Sequence, residues 1–283
     1  MAKLSHSQGY FTGGMPYDRF DGGPRVLVIF QGLVFENKPM AKFMANQFTS
    51  MYGPLLDSYT VYIVGRKPGM PEGCTMKDIA GDYAHMIREE FGSPVYVMGV
   101  STGGSIVQHF AADHPDLVRR LVIHSSAYTL NDAAKRGQMR CAQYARRGKW
   151  TAAFAALMGF SLPDKGLKKA VLKPLYWFLS LFAGPIMGIP KDPTDLAVTI
   201  EAEDKHDFRE RLPEIQAPTL VIAGDKDPFY SPELFRNTAA GIPGARLVLY
   251  EGMGHPAKGK QFHQDLRVFL DGDTEELETA GLA

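Results

Sequence analysis

Six short apolar runs punctuate the chain: RVLVIF (25–30), TVYIV (60–64), PVYVMGV (94–100), RRLVIHS (119–125), PTLVIAG (218–224) and ARLVLYE (245–251). Val, Ile and Leu dominate them, and several are bounded by Gly or Pro. Runs that are apolar on both faces predict strands buried between two layers. The longer intervals between them carry helical periodicity, as in MKDIAGDYAHMIREEF over 76–91. Buried strands alternating with helices predict an α/β fold, a mostly parallel sheet with helices on both faces.

One interval breaks this alternation. The stretch between the run ending at 125 and the run starting at 218 is far longer than a single crossover helix requires. Segments such as NDAAKRGQMRCAQYARRGKWTAAFAALMGF within it read as helix. Residues 127–205 are therefore expected to form a helical cap inserted into a core domain made of residues 1–126 and 206–283. The apolar stretch LYWFLSLFAGPIMGI over 175–189 is shorter than the roughly 20 residues of a spanning helix. It is also broken by Gly184-Pro185, so a buried or interfacial segment is expected. The acidic tail over 271–278 is expected to fray.

Charge sharpens the picture of the cap. Residues 127–190 contain ten Lys or Arg against two acids, Asp132 and Asp164, a net charge of +8 that leaves −8 for the rest of the chain. A solvated basic face pairing with the acid-rich 192–214 segment accounts for this. The sharper expectation is peripheral contact with an anionic membrane, or attraction of anionic, lipid-like substrates. Over the whole chain, 31 basic and 31 acidic residues cancel, so no electrostatic footprint for nucleic acid is expected. With 283 residues, 45% of them hydrophobic, the chain is long enough for one medium-sized domain carrying an insertion. The two cysteines, Cys74 and Cys141, have neither zinc-site spacing nor the density of a disulfide scaffold. Together with a start, MAKLSHSQGYFTGG, that lacks a signal-like apolar run, they predict a reduced, cytoplasmic protein, monomeric or homodimeric.

Chemistry concentrates where strands end. The run PVYVMGV leads straight into Gly99-Val100-Ser101-Thr102-Gly103-Gly104 and then into helix-like SIVQHFAADHP. Strand, Gly-x-Ser-x-Gly and helix in that order make a nucleophile elbow, with Ser101 at the sheet's carboxyl edge. Small residues on either side let so sharp a turn pass between strand and helix. A serine hydroxyl needs a base, and the base an orienting group. Of eight histidines, His255 stands out, in a Gly-Met-Gly-His-Pro loop after the last strand. His109 and His114 fall on or after the helix that follows Ser101, His6 in the N-terminal tail, and His85, His206 and His263 on helix surfaces. His124 closes a strand at the same sheet edge and is a candidate pocket residue. For the acid, the Gly-Asp-Lys-Asp-Pro loop after VIAG offers Asp225 and Asp227 at another strand's carboxyl end. One of them should hold the imidazole, and a turn-stabilising role suits Asp225.

Gly-x-Ser-x-Gly-Gly at 99–104, HPDLVRRLVI at 114–123, APTLVIAGDKDPF at 217–229 and GMGHP at 252–256 together resemble the α/β-hydrolase superfamily. The resemblance covers roughly residues 24–125 and 210–270 and leaves the cap unmatched. It implies a catalytic triad of Ser101, Asp227 and His255. It also implies an oxyanion hole built from the backbone amides of Leu33 and Thr102. Two loops depart from the family's pattern. Gln31-Gly32-Leu33 stands where His-Gly is usual, with Gln31 as a candidate hydrogen-bonding brace and pocket residue. Gly65-Arg66-Lys67-Pro68-Gly69-Met70 replaces the usual Asp-x-x-Gly-x-Gly-x-Ser, and Arg66 and Lys67 there read as a solvated pair, with approach to an anionic group in the pocket as the alternative.

Serine rather than aspartate at the elbow favours acyl chemistry over alkyl-ester chemistry, with no metal or organic cofactor required. The function expected is hydrolysis of a small-to-medium hydrophobic carboxylic ester, lactone or thioester through an acyl-enzyme on Ser101. Trp150, Phe154 and Trp177 of the cap are candidate pocket residues for such a small-molecule acyl substrate, with the cap's own core as their alternative role. A carbon–carbon bond hydrolase or a cofactor-free perhydrolase would use the same triad. A hydrolase-like binding protein or receptor is the rival of a different class.

Overall fold

The computed structural model describes residues 5–41, 44, 45, 48, 51–160, 178, 189, 190 and 192–279. Eight strands form one sheet: β1 (His6–Tyr10), β2 (Pro16–Phe20), β3 (Arg25–Phe30), β4 (Tyr59–Val64), β5 (Val95–Val100), β6 (Val118–His124), β7 (Thr219–Gly224) and β8 (Arg246–Tyr250). Their order is β1-β2-β4-β3-β5-β6-β7-β8. The β1-β2 and β2-β4 pairs are antiparallel and every other pair is parallel. The six strands read from apolar runs lie within a residue or so of their expected positions. The hairpin β1-β2 was not anticipated, because its residues, HSQGY and PYDRF, are polar edge sequence without an apolar run. His6, expected in a loose tail, is instead in β1, with Nε2 2.9 Å from Asp18 Oδ1.

The pleat distributes each central strand between two cores. Val28 and Phe30 of β3, Val97 of β5, Leu121 and Ile123 of β6 and Val221 of β7 face one cluster. That cluster also receives α1 (Met76–Glu90), α2 (Thr102–Asp113) and α6 (Pro232–Gly241), through Ile79, Tyr83, Phe110 and Phe235. Leu27, Ile29, Met98, Val122 and Ile222 face the other, which is covered by Phe262, Leu266 and Phe269 of α7 (Lys260–Thr279). This two-sided burial is why the strand sequences lack alternation. The α7 helix continues to Thr279, through the tail expected to fray.

Between β6 and β7 lie α3 (Asp132–Arg146), α4 (Trp150–Gly159) and α5 (Thr194–Asp204). Cys141, Ala145, Phe154, Leu196 and Ile200 from these helices make a small third core with Phe35 of the loop after β3. Arg146 bridges Glu72 at 2.8 Å and Glu201 at 2.9 Å, which ties part of the basic charge to acids. Arg136, Arg140, Arg147 and Lys149 are exposed. No helix among the described residues is long and apolar enough to cross a membrane. Trp177, most of the 175–189 stretch, and the basic residues 165, 168, 169 and 173 lie outside the described residues.

Candidate active site

The carboxyl ends of β3, β5, β6, β7 and β8 converge on one edge of the sheet, and the predicted chemistry lies there. Ser101 sits between β5 and α2 with φ 54° and ψ −124°, a left-handed conformation that costs a side-chain-bearing residue energy. Close packing holds it in place. A Cβ on Gly99 would lie 2.4 Å from the Gly103 carbonyl oxygen, and one on Gly103 would lie 2.0 Å from the Phe30 carbonyl oxygen. One on Gly104 would meet Ser126 Cβ at 2.2 Å. Only glycine lets α2 approach the sheet this closely.

His255 Nε2 lies 3.0 Å from Ser101 Oγ, and His255 Nδ1 lies 2.6 Å from Asp227 Oδ2. The Asp227 side chain is fully buried, and its other oxygen, Oδ1, accepts the amides of Phe229 at 2.8 Å and Tyr230 at 3.3 Å. Three hydrogen bonds thus fix the carboxylate behind the imidazole. Asp225 does something different. Its Oδ1 accepts the Gly252 amide at 2.7 Å, lashing the loop after β7 to the loop after β8.

The histidine loop is gripped from a third strand. Ser125, at φ 47°, accepts the Ala257 amide on its Oγ at 3.0 Å, and His124 Nε2 lies 2.8 Å from the Ala257 carbonyl oxygen. His124 is fully buried and stacks on Phe262 with centroids 4.6 Å apart, so it supports the His255 loop from behind and does not line the pocket. Burial pushes its pKa down to about 3, which keeps the ring neutral and Nε2–H available as the donor to Ala257.

A cleft of about 260 Å³ opens over Ser101 and His255, with Leu33, Val34, Val100, Leu157, Phe229 and Pro256 among its walls. Gln31 also lines it, as does Gln138 from α3. Trp150 and Phe154 pack on Phe35 instead, with centroids 6.4 and 4.6 Å away, as part of the small third core. Leu157, one turn further along α4, is the residue from this helix that reaches the cleft.

Beside the site lie two buried charges that the sequence pattern does not reveal. Glu203, fully buried at the end of α5, accepts the hydroxyls of Thr102 at 2.8 Å and Ser105 at 3.2 Å. Burial raises its pKa, while those hydroxyls, Gln138 and the Arg66 charge pull the other way. Arg66, expected in solvent, is fully buried, and its Nη1 donates to the carbonyl oxygens of Gln31 and Gly32, both at 3.1 Å. The same loop is tied to α5. Asp195, at the start of α5, accepts the amides of Gly69 at 3.0 Å and Met70 at 2.9 Å. Nothing in the sequence pattern marks these contacts, because each joins segments far apart in the chain. Among the described residues, no group of three or more His, Cys, Asp or Glu is placed to hold a metal ion.

A strained serine on a strand-to-helix turn, an imidazole beside it and a buried carboxylate behind, all on one edge of a mostly parallel sheet, define a hydrolase-type architecture. The sequence profile of the α/β hydrolase fold family matches residues 65–259, more than half of the chain, which therefore belongs to that family. A pimeloyl-[acyl-carrier protein] methyl ester esterase of Neisseria meningitidis is 25% identical over 206 residues, 68% of this chain and 62% of that protein. A hydrolase structure from Pseudomonas aeruginosa superposes with a TM-score of 0.69 at 22% identity, covering 94% of this chain and 98% of that one. The enol-lactonase of Burkholderia xenovorans gives 0.67 at 20% identity, covering 93% and 99%. Esterases and other hydrolases among the relatives support an enzyme of the ester-hydrolysing kind.

Proposed function

We propose that the protein is a serine hydrolase that cleaves a small-to-medium hydrophobic carboxylic ester, lactone or thioester. The observation that carries this reading is the relay from Ser101 Oγ through His255 to Asp227, at 3.0 and 2.6 Å, opening on a largely apolar cleft. Ser101 Oγ attacks the substrate carbonyl carbon while His255 Nε2 takes its proton. Asp227 keeps Nδ1 protonated and stabilises the imidazolium that forms. The carbonyl oxygen, now an anion, is met by the amides of Leu33 and Thr102. Thr102 opens α2, where first-turn N–H groups lack intrahelical acceptors and the helix dipole favours negative charge. Collapse expels the leaving oxygen or sulfur, which takes the proton from His255, and leaves Ser101 acylated. Water, deprotonated by His255, then releases the acid and restores the serine.

The apolar walls suit an acyl chain, and the cap, through Leu157 and Gln138, forms part of the roof. An acyl group borne by a carrier protein, as the Neisseria relative's name describes, is one such substrate, and the exposed Arg136, Arg140 and Arg147 on and just after α3 would suit a carrier with an acidic surface. The test is hydrolysis of p-nitrophenyl esters of increasing chain length by the wild type and Ser101→Ala. Turnover lost in the variant supports the reading, and the preferred chain length sizes the cleft. A folded wild type silent across the series, or a variant as active as the wild type, refutes it.

A further inference from the structure

Arg66 occupies an expensive position. Its guanidinium is fully buried, with Nε and Nη2 unpaired, while Nη1 alone serves two carbonyls. A buried arginine kept only for stability is expected to have its donors satisfied, because each unpaired one carries its full desolvation cost. What Nη1 holds is therefore the clue. The two carbonyls belong to Gln31 and Gly32, and the peptide that carries the Gly32 oxygen also carries the Leu33 N–H. In a trans peptide these two groups point in opposite directions. Gly32 itself lies against the nucleophile, since a Cβ there would be 3.4 Å from Ser101 Cβ and 3.2 Å from the Val100 carbonyl oxygen. With the Gly32 oxygen drawn toward Arg66, the Leu33 N–H turns away from the guanidinium.

We infer that Arg66 is a positioning residue that aims the Leu33 amide at the oxyanion and strengthens it as a donor through the cation bound to the adjoining carbonyl. This takes the place of the histidine brace that the sequence led us to look for at Gln31, and it comes from the neighbouring loop. A cation hydrogen-bonded to a peptide oxygen polarises the peptide, so the N–H at its other end donates more strongly in a water-poor site. Burial works against the Arg66 charge, and Tyr83, Glu203 and Asp195 favour it through their electrostatic influence. The inference rests on the serine-hydrolase reading above.

The test compares Arg66→Met with the wild type on the ester that the wild type hydrolyses best. Methionine is of similar length and apolar, and replacing a buried charge in this way is often tolerated by the fold. The expected result is a loss of about 10²–10³-fold in kcat, the usual effect of removing one oxyanion donor, with little change in KM. The inhibition constant of phenylboronic acid, which forms a tetrahedral adduct with the serine, is expected to rise in parallel. Arg66→Lys should recover part of both, since an ammonium can donate to a carbonyl but reaches less far than a guanidinium and lacks its planar fork. If Arg66→Met does not fold, Arg66→Gln replaces it, with the same expectation. A folded Met or Gln variant with wild-type kcat overturns the inference. So does a loss of activity that leaves boronate affinity unchanged, which would mark a general structural role. Absence of wild-type turnover would count against the hydrolase reading itself, a separate outcome.

Discussion

Thr102 donates its hydroxyl to Glu203 Oε2 at 2.8 Å, joining the residue that follows Ser101 to the last turn of α5. Thr102 and Glu203 are both fully buried, so the acid depends on protein hydroxyls where water would otherwise serve. Thr102→Val keeps the shape and removes the donor. The expected cost is about 1–3 kcal/mol of unfolding free energy, the penalty of under-satisfying a buried acceptor. Thr102→Ser should lose much less, and an unchanged urea midpoint in the valine variant would show that Glu203 does not need this bond.

The elbow's glycines should tolerate no side chain. A methyl group on Gly103 would lie 2.0 Å from the Phe30 carbonyl oxygen, and the neighbouring atoms are backbone that cannot rotate away. Gly103→Ala is therefore expected to separate α2 from β3 and lower thermal stability severely, by more than the 0.5–3 kcal/mol typical of point substitutions, or about 4 kcal/mol and above. Gly81→Ala, inside α1 with open space around the added carbon, is the matched control and should stabilise slightly, by about 0.5–1 kcal/mol. Equal melting temperatures for the two variants would contradict this account.

These contacts show which parts of the molecule were legible in the sequence. Strands β3 to β7 declare themselves because they are largely buried on both faces, and β8 through its apolar run although it lies half-buried at the edge; the turns that carry Ser101, Asp227 and His255 stand out through their glycines and prolines. The hairpin β1-β2 was missed because an edge strand with polar residues gives no such signal. Arg66 reads as solvated charge and Glu203 gives no signal at all, because burial of a charged group is decided by partners distant in sequence. Gln31 and Gly32 carbonyls take up one, and Thr102 and Ser105 hydroxyls the other. His206, read as a helix-surface residue, is likewise buried against His109, with Nδ1 3.3 Å from His109 Nε2.

Those histidines set the acid limb of stability. Burial lowers the pKa of His124 to about 3, of His206 to about 3 and of His109 to about 4, from 6.5. Below 6.5 the unfolded chain binds protons that the folded histidines refuse, so stability falls as pH drops toward those values. The slope is at most about 1.4 kcal/mol per pH unit for each histidine. Glu203 works in the opposite sense. Its folded pKa is raised above 4.5, so its contribution to stability is full below 4.5 and is lost as pH rises through the folded value. Urea unfolding between pH about 7 and about 4 should therefore show a shallower acid loss in His124→Asn than in the wild type. Glu203→Gln should show a steeper one. Identical profiles in all three proteins would remove these groups from the balance.

Asp225 and Asp227 sit two residues apart in one loop, and their substitutions should separate cleanly. Asp227 Oδ2 meets His255 Nδ1 at 2.6 Å, so Asp227→Asn puts an amide where the imidazole needs an acceptor. An asparagine presenting N–H there would favour the tautomer whose free proton is on Nε2, and that nitrogen could no longer accept the Ser101 proton. The expected loss in kcat is about 10⁴-fold, the size seen when this group is neutralised in a serine triad. Asp225 touches no part of the relay. Its Oδ1 accepts the Gly252 amide at 2.7 Å, and an asparagine oxygen can accept the same bond. Asp225→Asn should therefore keep kcat near the wild-type value, with a modest fall in melting temperature as the charged acceptor becomes neutral. Steady-state kinetics on a p-nitrophenyl ester, with melting curves for both variants, decide the matter. If Asp225→Asn lost activity as deeply as Asp227→Asn, the acid of the relay would have to be reassigned.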